Sequence, residues 1–103
     1  MAMLIEFSMW PMGEGESVSK YVAESLDIID RSGVPYRLNP MGTVLEGEFD
    51  EVMGVVRQCF DTMSSQCGRV TATIKLDWRT GATGRLTAKT ESVEQKLGRK
   101  LRQ

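Results

Sequence analysis

Thr43 and Glu46 are the residues of this chain whose types and spacing best suit ligand chemistry. They stand in the run SGVPYRLNPMGTVLEGE, from Ser32 to Glu48, which reads as a helix end, a strand, a tight Pro-Met-Gly turn and a second strand. Strands of this kind usually send apolar side chains into a core. A carboxylate and a hydroxyl in one therefore predict either a solvated sheet face or a small polar pocket. Gly42 and Gly47 flank the pair, and glycine in a strand often marks a close approach of backbone or ligand. A carboxylate beside such a space can meet a ring nitrogen and an exocyclic amine through two hydrogen bonds. Thr43 adds a donor and an acceptor. Met41, in the turn, is less well explained as core filling.

A second group precedes the first helix. The loop GEGES is glycine-rich like a phosphate cradle, but Glu14 and Glu16 would repel an anion and suit a cationic ligand. The plainer reading is a solvated connection in which Ser17 caps the helix. Ser19 falls in the first helical turn and faces either a ligand or water. Trp10, at the end of the first strand, could stack on a heteroaromatic ring or sit against a cation, or serve an interface. Asp77 and Arg79 share one face of the last strand and read as a structural pair.

Other chemistries have little to work with. The chain has no histidine, which removes Ser-His and Cys-His nucleophile pairs and the commonest neutral-pH base. The two cysteines, Cys59 and Cys67, would lie ~12 Å apart along one helix, too far for a disulfide, and alone make a poor metal site. They read as packing thiols of a reducing compartment. Net charge is −1, so no basic excess exists to hold a nucleic acid. Lys96, Arg99, Lys100 and Arg102 collect near the end, where a helix C-terminus favours cations. No apolar run approaches the ~20 residues of a membrane span, and MAMLIEFSMW lacks the basic start of an export signal. A cytoplasmic protein without cofactor or metal is expected.

The 103 residues allow one domain with one core. A first strand is expected over about 2–9. A helix follows, with Val18, Val22, Leu26 and Ile29 on one face and Gly33 as its left-handed cap. The next strands run about 34–39 and 43–49. Asp50 is expected to cap a second helix, with Val52, Val56, Cys59, Phe60 and Met63 buried and Gly68 closing it. In the fourth strand Val70, Ala72, Ile74, Leu76 and Trp78 alternate with polar residues, which predicts one buried face. Ser92 and Gln95 match a capping box for a tail helix over about 91–102, with a thin apolar stripe of Val93, Leu97 and Leu101. This order is the split βαβ pattern of a ferredoxin-like α+β sandwich: a four-stranded antiparallel sheet, two helices on one face, the other face open, and a C-terminal helix. Seven methionines and two tryptophans add apolar surface, and self-association is expected. Met3, Met53 and Met63 read as core filling, Met12 and Met41 as loop residues.

These motifs resemble a known family. S-V-S-x-Y-V-A, then S-G-x-x-Y-x-L, then P-M-G-T-x-x-E-G-E, with IKLDWR and KTESVEQKL later, are similar to the small thiamine-binding proteins related to YkoF-like proteins. The likeness spans nearly the whole chain. It implies a ferredoxin-like subunit, dimers and commonly tetramers, and binding of thiamine or its hydroxymethylpyrimidine part without catalysis. The implied pocket maps onto Thr43 and Glu46, with Ser17, Ser19, Met41 and Trp10 as neighbours. The residues themselves leave other classes open: an amino-acid-binding regulatory module, an enzyme working through Glu46, Asp77 or a thiolate, or a structural oligomer without ligand.

Overall fold

A computed structural model describes residues 3–13, 18–80 and 85–102. The chain runs β1 (Met3–Pro11), α1 (Ser19–Ser32), β2 (Tyr36–Asn39), β3 (Gly42–Gly47), α2 (Phe49–Ser64), β4 (Val70–Trp78) and α3 (Arg85–Leu97). The sheet is antiparallel with strand order β2-β3-β1-β4, the ferredoxin-like arrangement. β1 alternates buried and more exposed residues along its length, so Met3, Ile5, Phe7 and Met9 reach one core. Leu45 of β3, Ile29 of α1 and Val52, Val55, Val56, Cys59 and Met63 of α2 complete it.

Local chemistry sets the helix ends. Gly33, at φ 79°, caps α1 in the left-handed region, where an L side chain is disfavoured. α2 begins one residue after Glu48, not at Asp50. The Glu48 N–H donates to Glu51 Oε1 at 3.0 Å and closes a capping box, so Asp50 falls inside the first turn. The helix stops at Ser64, before Gly68. Phe60 is not in the buried stripe: it is 47% exposed, and Val55 takes the inward position.

Two larger differences concern the sheet. β4 shows the expected alternation, but Ile74, Leu76 and Trp78 stay 45%, 48% and 54% exposed. They pair with Phe7, Ile5 and Met3 and so share the helix-side face, yet the two helices leave this edge strand largely uncovered. The opposite face is not fully open. α3 starts seven residues earlier than Ser92 and lies against β3.

Cys59 is fully buried and Cys67 nearly so, and both are free thiols. Burial pushes the Cys59 thiol above its usual range, partly offset by hydrogen bonding from the Ser25 side chain, and the thiol itself donates to the Ser25 carbonyl at 3.7 Å. A thiol held protonated in this way stabilises the fold below the ordinary thiol range and ceases to do so as pH rises through its raised value. Cys59 should therefore react with a thiol reagent at pH 8 much more slowly in the native protein than in the unfolded chain. Equal rates, read by peptide mapping, would contradict its burial.

Candidate functional site

The register of β1 creates a cleft. β3 pairs with β1 only from Met3 to Phe7, whereas β4 pairs with it as far as Pro11. Beyond Phe7 no β3 residue stands beside β1, and α1 roofs the gap. The Glu46 N–H donates to Pro35 O at 3.0 Å, which turns the Glu46 main chain toward β2. Main-chain groups alternate sides along a strand. Thr43 and Leu45 therefore bond toward β1, and Met9 turns its N–H and C=O into the gap.

The resulting cleft holds about 360 Å³. Phe7, Met9, Leu26 and Ile29 form its apolar interior, and Ser25 and Thr43 supply hydroxyls, whereas Ser8 alternates with Phe7 and Met9 onto the other sheet face and lines the cleft at the strand itself. Trp10, Val22, Leu38 and Met41 line it from more exposed positions, Met41 being 89% exposed. Val22, Leu26 and Ile29 recur at helical spacing, so one face of α1 forms a whole wall. Gly42 lets the turn come close: a Cβ there would stand 3.3 Å from the Phe7 carbonyl oxygen. Among the described residues no charged side chain is in this lining. Such a site can hold a flat, partly apolar molecule and orient it through hydroxyls and main-chain groups, and among the described residues it offers no carboxylate or amine for acid-base work.

The structure brings together Trp10, Met41 and Thr43 from the six residues singled out in the sequence. Ser19 lies one turn before Val22 on the same side of α1, outside the lining itself. Ser17, with the acidic residues Glu14 and Glu16, lies outside the described residues. Glu46 is elsewhere. Thr43 pairs with Phe7 on the helix-side face, and Glu46 pairs with Leu4 on the other. Three residues apart on a strand means opposite faces, so the two do not share a pocket. Each is 7% exposed, for different reasons. Glu46 Oε1 accepts the Leu86 N–H at 3.3 Å in the first turn of α3, where a carboxylate is favoured by the helix dipole. Ser8, Ser25 and the open Met9 edge were not singled out in the sequence. Only the length of β1 relative to β3 points to them.

A family model described as "Thiamine-binding protein" matches residues 5–94. The chain belongs to the thiamine-binding protein family. Among relatives, the UPF0045 protein Mb1933 of Mycobacterium bovis is 40% identical over 98 residues, covering 94% of this chain and 96% of that protein. The UPF0045 protein MJ1052 of Methanocaldococcus jannaschii is 34% identical over 92 residues, covering 89% and 85%. The crystal structure of MJ1052 superposes with a TM-score of 0.81 at 30% identity, over 89% of this chain and 95% of that one. A Thermotoga maritima structure ascribed to thiamine biosynthesis or salvage superposes at 0.79 over 90% and 99%, and its 19% identity shows the shared fold alone. Among the described residues no acidic or thiol cluster suits a metal ion, and no helix is long and apolar enough to cross a membrane.

Proposed function

We propose that this member of the family is a non-catalytic binding protein for thiamine or its hydroxymethylpyrimidine part, held in the cleft between β1, the β2–β3 turn and α1. The supporting observation is the cleft itself: an apolar slot that ends on the hydroxyls of Ser25 and Thr43 and an open strand edge. Its volume lies at the small end of ligand pockets, which run from ~300 to 1,000 Å³. The aminopyrimidine would lie between Met41 and the α1 wall, with Thr43 and the Met9 main chain meeting its amine and ring nitrogens. Trp10 would face the thiazolium, where an indole can hold a cation. Two free buried thiols suit a cytoplasmic setting.

Calorimetry with thiamine tests this, with hydroxymethylpyrimidine and a panel of amino acids as comparisons. Thr43→Val keeps the shape and removes one hydrogen bond of ~0.5–1.5 kcal/mol, so affinity should fall about two- to tenfold. Glu46→Gln should leave affinity unchanged and instead loosen α3. A large affinity loss in Glu46→Gln, with melting temperature preserved, would return Glu46 to the ligand site. No thiamine binding by the wild type would remove the proposal, and a preference for an amino acid would favour a regulatory module.

Self-association belongs to the same reading. β4 is an edge strand, and unpaired edges recruit partners. Its main-chain groups at Ile74 and Leu76 face outward, because those of Thr73, Lys75 and Asp77 face β1. Phe49 and Phe60 lie exposed on one flank of α2. The turn after α2 is tied to α1, where Gln66 Nε2 donates to Glu24 Oε2 at 2.7 Å. On β4 itself Ile74, Leu76 and Trp78 form an exposed apolar row. A second copy pairing β4 to β4 would cover it, giving a dimer from which a tetramer can be built.

A further inference from the structure

A second cleft, of about 480 Å³, lies at the outer edge of β2, where the chain end folds back beyond α3. It is lined by Arg37, Leu38, Asn39, Thr90, Leu101 and Arg102. Gly98, at φ 73°, ends α3 in the left-handed region, and the Leu101 N–H then donates to Glu94 Oε2 at 2.6 Å. This fold-back carries Arg102 to β2, past the helix end that would otherwise account for its charge. Arg37 pairs with Val44 and so projects from the same sheet face as Glu46, where it is half-buried. Among the described residues no carboxylate lines the cleft. Two arginines line one hollow of a chain whose net charge is −1.

Such an arrangement costs electrostatic repulsion unless an anion sits between the cations. The other lining groups are suited to one. The Asn39 amide and the Thr90 hydroxyl donate. The Leu38 main chain faces the free edge of β2, because those of Pro35, Arg37 and Asn39 face β3. Arginine forks match the oxygens of a phosphate in a way a point charge does not. We infer that the cleft bounded by Arg37, Asn39, Thr90 and Arg102 is a phosphate-binding site, on the opposite sheet face from the Thr43 cleft. This inference stands apart from the thiamine reading, because thiamine itself carries no phosphate.

The test is a titration with sodium phosphate followed by NMR, observing backbone amides and arginine Nε–H groups, with sodium chloride at matched ionic strength as control. Saturable shifts confined to Leu38, Asn39, Thr90 and the two arginines are expected. Arg37→Gln and Arg102→Gln should each weaken binding about ten- to a hundredfold. Arg102 is exposed in the tail, so its variant decides the matter even if Arg37→Gln perturbs the fold. Thiamine monophosphate distinguishes the source: affinity equal to inorganic phosphate means the group alone is read, and tighter binding that is lost in Arg102→Gln means an ester is. Shifts that chloride reproduces, or affinities that neither variant changes, would overturn the inference.

Discussion

Val22→Trp should weaken thiamine binding roughly a hundredfold and leave the protein folded. Val22 stands on the cleft side of α1 and is 37% exposed, so an indole there can enter the cleft without displacing the core. Valine and tryptophan have similar helix propensities, so α1 should persist. A ligand excluded from the slot would lose on the order of 100–150 Å² of apolar burial, about 3 kcal/mol, or roughly a hundredfold in affinity. The melting temperature should hold or rise, because the new side chain covers apolar surface that is open in the wild type. Calorimetry and thermal unfolding on the same preparations give both readings. Affinity within threefold of wild type would place the ligand outside this cleft.

The value of that substitution lies in its distance from any group with evident chemistry. In the sequence, Glu46 drew attention as a carboxylate among strand residues, and Thr43 was joined to it by proximity along the chain. Strand geometry separates them: a spacing of three puts one under the helices and the other under α3. The cleft depends on β1 outrunning β3 by four residues, a feature of tertiary register that no single segment announces. Trp10, Met41 and Thr43 were legible because each was an unusual residue for its local setting. Ser8 and Ser25 were not, since a serine in a strand or helix has many ordinary explanations.

The fold itself was easier to read, for reasons visible in particular elements. β1 and α2 carry strong periodic apolar patterns, and Gly33 punctuates α1 as glycine should. α3 was harder. Arg85 to Glu91 carries only Leu86 and Ala88 as apolar residues, so the helix looked as if it began at the Ser92 capping box. What holds its start is a contact from another element, the Glu46 carboxylate. At α2, Asp50 competed with Glu48 for the cap, and the reciprocal Glu51 bond favoured the earlier residue. In β4 alternation gave the correct faces but not the burial, because pattern reports which side chains share a side and not whether anything lies over them.

That uncovered face carries the other large expected effect. Leu76→Lys should convert an oligomer into a monomer of 11.5 kDa. The proposed pairing of β4 with its own copy repeats every contact twice, so one substitution acts at two places. Burying a leucine contributes ~1.5–3 kcal/mol. Losing two such burials, and placing two ammonium groups in the same seam, should raise the dissociation constant by roughly three orders of magnitude. The isolated subunit should not suffer, because Leu76 is 48% exposed in it and a lysine stem can lie along the sheet with its charge in water. Light scattering at micromolar concentration, with circular dichroism to verify folding, makes the measurement. A monomeric wild type would remove the interface altogether. A variant that keeps the wild-type mass would leave self-association standing but move it away from β4, to the face that α3 only partly covers.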